Sequence, residues 1–278
     1  MRSVLATALG LTRARVGLAL VVSLTLLAAL APLFTSYDPT LQIDLATRQL
    51  LPPSLAHPAG TDFFSRDVLA RVLFGARISL TIAILAVIVS VTVGTAVGIA
   101  SGLTGGAVDT ALMRLVDAAL AVPRIFLLLV VLALWRGLGI WGLILMLGLT
   151  SWFDIARIVR AEVLSLKTRG FVVAARALGL QTRHVTTRHL LPNIAAPIIV
   201  TATLGVGQIV LLEAGLSFLG IGVRPPTPSW GTMIADGWPY LASAWWISVF
   251  PGLAIVLTVV GFSLIGDSLR DAIDPRRS

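Results

Sequence analysis

Few residues in this chain have the type and spacing needed for covalent chemistry. Lys167 is the only lysine among 278 residues, and it follows Leu166, so no Gly-Lys-Ser/Thr loop can cradle a nucleotide phosphate. The histidines His57, His184 and His189 do not stand at a zinc-ligand spacing, and neither an HExxH pair nor a GxSxG elbow occurs. With no cysteine there is no disulfide and no thiolate metal site. Acids inside apolar runs are scarce, and Glu213 is the acid set in the fifth long run. Such a residue either lines a path for a cationic group or closes a structural hydrogen bond at the end of a span, and both readings stand. Asp62, Arg66, Asp67 and Arg71 precede the second run and suit the folding of a loop, or a meeting with another protein, better than solute binding. Nothing here supplies a catalytic constellation, a metal site or a cofactor of the chain's own.

The elements that must carry these residues are membrane spans. The chain is 57% hydrophobic and 12% charged, about half the charge of an ordinary soluble domain. A net charge of +8 invites a nucleic-acid reading, but the arginines flank apolar runs instead of covering one face, so no nucleic acid is expected. Six spans of roughly 20 apolar residues are predicted. They are Val16–Phe34, one within Ile78–Val108, Leu120–Leu138 with Arg124 near its end, a short one at Gly139–Phe153, Ile194–Leu219 and Ala244–Gly266. Ala29–Ala31 resembles a cleavage site, but the preceding run is too long for a signal core and reads as an uncleaved anchor.

Orientation follows from positive charge. Residues 1–15 (with Arg2, Arg13 and Arg15), the segment after span four and the tail 267–278 (with Arg270, Arg276 and Arg277) share one side, which the positive-inside rule makes the cytoplasm. Residues 35–77 are then outside. Trp135 and Trp141 bracket one outer hairpin, and Trp230, Trp238, Tyr240, Trp245 and Trp246 crowd the other, as interfacial belts do. The core is residues 78–266. Within it Gly94, Gly98 and Gly102 form a small-residue stripe suited to close helix packing.

The basic segment 157–193 holds seven of the 21 lysines and arginines and is expected in water. Phe171, Ala174, Ala175 and Leu178 fall at i, i+3, i+4 and i+7 on one helical face. Gly179 follows where a helix ends in the left-handed conformation, and Thr182 is placed to cap a second helix that stops before Pro192. Two readings stand on spacing alone: a helix-turn-helix that docks another protein, or an amphipathic loop on lipid headgroups.

The residues Ala174-Ala-Arg-Ala-Leu-Gly179, nine residues, then His189-Leu-Leu191-Pro192 resemble the EAA loop of bacterial ABC-importer permeases. Gly60–Leu80, Glu213–Gly231 and Phe250–Pro275 resemble three further stretches of the dipeptide, oligopeptide and nickel permeases, in their order. The likeness runs from about Ser65 to Pro275 and points to the C-type subunit. It implies an all-α fold with a cytoplasmic coupling helix around Ala174 and Ala175, in a bacterial inner membrane. It also implies a homologous second permease, two cytosolic ATPases that bind the ATP, and an extracytoplasmic binding protein.

Two positions depart from the family pattern. Val173 stands where the loop has glutamate, and Ser65 replaces a usual glycine. Peptides are the expected cargo, with nickel the rival; the lack of cysteine and of intramembrane histidine leans against a soft or borderline metal. An energy-independent channel or a scaffold leaves the spacing from Gly179 to Pro192 unexplained.

Overall fold

The computed structural model describes residues 10–42, 44–135 and 139–273. Arg2, Leu138, Arg276 and Arg277 lie outside them. Among the described residues the regular structure is helical, save one isolated antiparallel bridge between Thr61 and Asp67.

Helix α1 (Thr12–Ala29) and the short α2 (Ala31–Phe34) lead into a connecting segment that ends at Asp67. The carboxylate of Asp67 accepts the Ala70 N–H at 2.7 Å and so starts α3 (Val68–Thr104). The helix therefore begins ten residues before the apolar run at Ile78, because Asp67 caps it there. At 37 residues, α3 is about 55 Å long, against a hydrocarbon core of about 30 Å. It must project from the bilayer.

The third expected span, Leu120–Leu138, is redrawn. Helix α4 (Gly106–Ala121) and α5 (Arg124–Leu134) meet at a 92° bend and make one span only if taken together. Pro123 causes the break: it holds Val122 in the extended region at ψ 126° and cannot donate to a helix ladder. The fourth span does not stop at Phe153. Helix α6 (Ile140–Leu149) passes through Thr150 and Ser151 into α7 (Trp152–Leu166), and together they are long enough to cross. The first ten residues of the basic segment 157–193 are thus helical and packed, not loop. Arg157 and Arg160 are tolerated there because α4 supplies their counter-ions: Arg157 Nη2 lies 2.7 Å from Asp117, and Arg160 Nε lies 2.5 Å from Asp109.

Beyond α7 come α8 (Gly170–Ala177) and α9 (Thr182–Val185), then α10 (Leu191–Phe218), α11 (Trp230–Gly237) and α12 (Trp246–Ile273). The spans number five, or six with the bent pair counted as one. Gly17 of α1 abuts Leu264 and Ile265 near the far end of α12, while Arg77 of α3 donates to Ala28 O and Ala29 O at the other end of α1. The start of α1 and the end of α12 therefore share one end of the bundle.

The opposite end is closed by buried charge and two tryptophans. Arg66 and Arg71 both reach Asp62 (2.6 and 2.5 Å) and Asp236 (2.9 and 3.1 Å). His57 Nδ1 sits 2.8 Å from Asp67. These residues knit the loop to α3 and α11. Trp230 donates to Val72 O and Trp246 to Thr61 O, each at 3.1 Å. Both are buried pins, a correction to their place in an interfacial belt; Trp135, Trp141, Trp238 and Trp245 are exposed. Ser65, in place of glycine, adopts φ +61° and is held there by its N–H to Asp62 O (3.0 Å) and its hydroxyl to Asp44 O (2.7 Å).

Candidate functional site

The glycine stripe of α3 builds the base of the site. A Cβ on Gly94 would meet Ile155, one on Gly98 would meet Val159, and one on Gly102 would meet Val163, each at 2.7 Å from the nearer atom. Three glycines spaced by four thus receive three β-branched side chains of α7 at the same spacing, and the two backbones approach where any larger residue would hold them apart. Lys167 Nζ then donates to Gly102 O at 3.2 Å, closing the end of the pair.

Helix α8 stands on this base. Its Val172 and Ala175 are buried with Ile155, Val159 and Val163 of α7, Val185 of α9, and Leu190 and Ile194 around the start of α10. The expected face of Phe171, Ala174, Ala175 and Leu178 is therefore divided. Ala175 turns inward, Val172 joins it, and Phe171, Val173, Ala174 and Leu178 are exposed. Leu178 is 83% exposed, the profile of a side chain awaiting a partner rather than one in a finished core. Val172 escaped the sequence reading because Val172 and Ala175 fit a helical period no better than their neighbours; α7 decides which pair is buried.

Gly179 has φ +78°, and the turn is closed by Leu180 N–H to Ala175 O (3.2 Å) and Gly179 N–H to Arg176 O (2.9 Å). This is the paired-bond ending that favours glycine. Thr182 does not cap α9; Gln181 holds that place without a side-chain bond, and Thr182 O accepts from Thr186 instead. Nor does the helix stop before Pro192. A π turn over Thr186–Leu190 joins α9 to α10, and Leu191 and Pro192 lie in the first turn of α10, both exposed. The wider turn absorbs the bond a proline cannot make.

A second feature is a pair of clefts that meet at Asp154 and Gln208. One cleft of about 680 Å³ runs between α7, α10 and the end of α12, where Arg270 lines it, and another of about 490 Å³ runs between α4–α5, α7 and α10; both are walled by Asp154 and Gln208. Arg124, at the head of α5, lines the second; its Nε donates to Thr150 O at 3.2 Å, and its Nη2 stands 3.7 Å from Asp154. Sequence reading had placed Arg124 at a span end and passed over Asp154. The signal was there, since both are charges within apolar runs.

Glu213 is elsewhere. Its side chain is fully buried and accepts hydroxyl hydrogens from Ser79 of α3 (3.0 Å) and Ser217 of α10 (2.7 Å). The same hydroxyl oxygens accept the backbone N–H of Trp230 (3.3 Å) and of Val223 (3.0 Å). Glu213 thus ties α3, α10 and the loop into α11 together, and it walls neither cleft.

Residues 94–278 match the model of the binding-protein-dependent transport system inner membrane component, and residues 12–53 match the N-terminal TM domain of oligopeptide transport permease C. The chain is 46% identical to the dipeptide transport system permease protein of Escherichia coli (strain K12), over 94% of this chain and 88% of that one. It is 40% identical to the oligopeptide transport system permease protein of Bacillus subtilis (strain 168), over 95% and 85%. Among solved structures, a chain of the MetNI methionine ABC transporter in inward-facing conformations superposes with a TM-score of 0.59 at 21% identity, covering 72% of this chain and 95% of that one. That likeness is one of fold. With two thirds of its length under one family model and its relatives matched almost end to end, this multi-pass chain belongs to the binding-protein-dependent transport system inner membrane components.

Proposed function

We propose that the chain is the C-type permease subunit of an ATP-driven importer of di- or oligopeptides. It forms the translocation path with a homologous second permease and receives its cargo from an extracytoplasmic binding protein. Two cytosolic ATPases bind and hydrolyse the ATP, and this chain carries no cofactor of its own. Both termini and α8 face the cytoplasm, the side favoured by the arginines that flank the spans.

The observation that carries this reading is the exposed apolar face of α8, mounted without slack on the α3–α7 pair and on α10. Such a face, formed by Phe171, Val173, Ala174 and Leu178 and ringed by Arg169, Arg176 and Arg183, suits a cleft in a partner. Closure of the ATPases would move α8, and the helices it stands on would swing the path between inward- and outward-open states. The relatives' peptide names supply the substrate class.

The test is purification of the chain with its ATPases and uptake by the reconstituted complex. Co-purification with ATP-dependent uptake of a labelled dipeptide is expected. Uptake of nickel but not dipeptide would replace the substrate class, and uptake without an ATPase would remove the importer reading.

A further inference from the structure

Asp154 lies near the middle of the span Ile140–Leu166, and its side chain is 58% exposed. Arg124 beside it is 26% exposed. Charges at that depth are costly against lipid and persist where they face one another or a water-filled passage. Their 3.7 Å separation is too long for a hydrogen bond, so the pair does not satisfy itself. Among the described residues the Asp154 carboxylate accepts no hydrogen bond, and the guanidinium bonds only through its Nε. The buried hydroxyl of Ser90 also finds no partner within the described chain. It shares a pocket of about 40 Å³ with Arg124, Asp154, Thr201 and Gln208. These five polar side chains thus converge on one spot in an apolar bundle, with donors and acceptors to spare.

We propose that Arg124 and Asp154, with Gln208, form a station in the translocation passage that takes the two charged ends of a zwitterionic peptide. The planar guanidinium of Arg124 receives the carboxylate through paired N–H donors, and Asp154 receives the ammonium. An extended dipeptide is about 7 Å long, so the loosely held pair must part to admit one, and it closes on itself when the peptide leaves. Each charge therefore keeps a counter-charge through the cycle. This inference rests on the peptide reading above for its cargo, but its aqueous cleft does not.

The chain has no cysteine, so single cysteines report directly. In the assembled complex, a charged, water-soluble methanethiosulfonate should label Gln208→Cys and Thr201→Cys, with Thr40→Cys in the outer loop as the positive control and Ile88→Cys, exposed in mid-α3, left unlabelled. Arg124→Gln and Asp154→Asn should each lower dipeptide uptake about tenfold or more, as befits a lost charge-assisted hydrogen bond. Basal ATP hydrolysis, co-purification of the ATPases and affinity for the binding protein should be unchanged. Unlabelled cysteines at positions 201 and 208 alongside a labelled Thr40→Cys would overturn the passage. Full uptake by both neutral variants would overturn the station. A wild-type complex that imports no peptide would remove the zwitterion along with the substrate reading, while the labelling pattern still decides the cleft.

Discussion

Gly98 of α3 faces Val159 of α7 so closely that a Cβ on the glycine would stand 2.7 Å from the valine's Cβ and 2.6 Å from the carbonyl oxygen of Ala156. Backbone cannot move aside as a side-chain tip can. Gly98→Ala is therefore expected to cost about 1–3 kcal/mol through overpacking, seen as a lower melting temperature in detergent. Gly252 of α12, with nothing within 4 Å of its Cβ position, is the control; Gly252→Ala should melt at or above the parent. Equal melting of both variants and the parent would mean that the two helices do not pack this way.

At Gly179 the obstacle is conformational. No atom lies within 4 Å of a Cβ there, yet φ is +78°. Gly179→Val should cost about 1–2 kcal/mol or more for a left-handed residue, loosening the end of α8 and weakening co-purification of the ATPases. Gly179→Asn, which tolerates that conformation, should retain most binding. If the valine variant held its ATPases as firmly as the parent, α8 would lose its docking role.

Val173 lies on the exposed face of α8, where the family loop carries glutamate. An exposed ion pair is worth about 0–1 kcal/mol, so Val173→Glu should leave ATPase attachment intact and transport equal or slightly higher. Loss of the ATPases from this variant would show that the docking cleft rejects charge at this position.

The ion cluster of Asp62, Arg66, Arg71 and Asp236 divides unequally. Asp62 is buried with Arg66 and Arg71, whereas the side chain of Asp236 is 31% exposed. Removing the buried partner leaves two guanidinium groups facing each other with half their counter-charge. Asp62→Asn is expected to destabilise by about 3–5 kcal/mol and Asp236→Asn by clearly less, measured by thermal unfolding. The reverse order would place the weight of the cluster on Asp236.

Glu213→Gln tests the buried tie. Ser79 and Ser217 each give their single hydroxyl hydrogen to the carboxylate, and a carboxamide offers only one accepting atom. One serine must lose its acceptor, at about 1–3 kcal/mol. Melting should fall, and transport should fall only as far as the folded complex does. A variant that melts like the parent but fails to transport would move Glu213 into the passage.

What sequence revealed was mostly local. The membrane class, the end of α8 at Gly179 and the packing role of Gly94, Gly98 and Gly102 follow from composition, one residue's conformational freedom and a period of four. What it hid came from distant partners. Arg157 and Arg160 read as loop residues because their counter-ions, Asp117 and Asp109, stand 40 and 51 positions earlier. The inward turn of Val172 depends on α7 and α10, and the meeting of Arg124 with Asp154 on the bend at Pro123. Hydropathy treats each span alone, so a charge shared between two spans counts as an end of both.

The π turn at Thr186–Leu190 runs α9 into α10 without a loop between them. From Leu190 to Gln208, 18 residues at 1.5 Å each make about 27 Å of helical shaft. One weak link interrupts it, at Pro197, whose carbonyl oxygen takes the Thr201 hydroxyl at 2.9 Å. If ATPases drive α8 as proposed, a stroke at that end either arrives at Gln208 undiminished or is spent at that proline. In that reading the throw would be set by one hinge and one length, both written into α10.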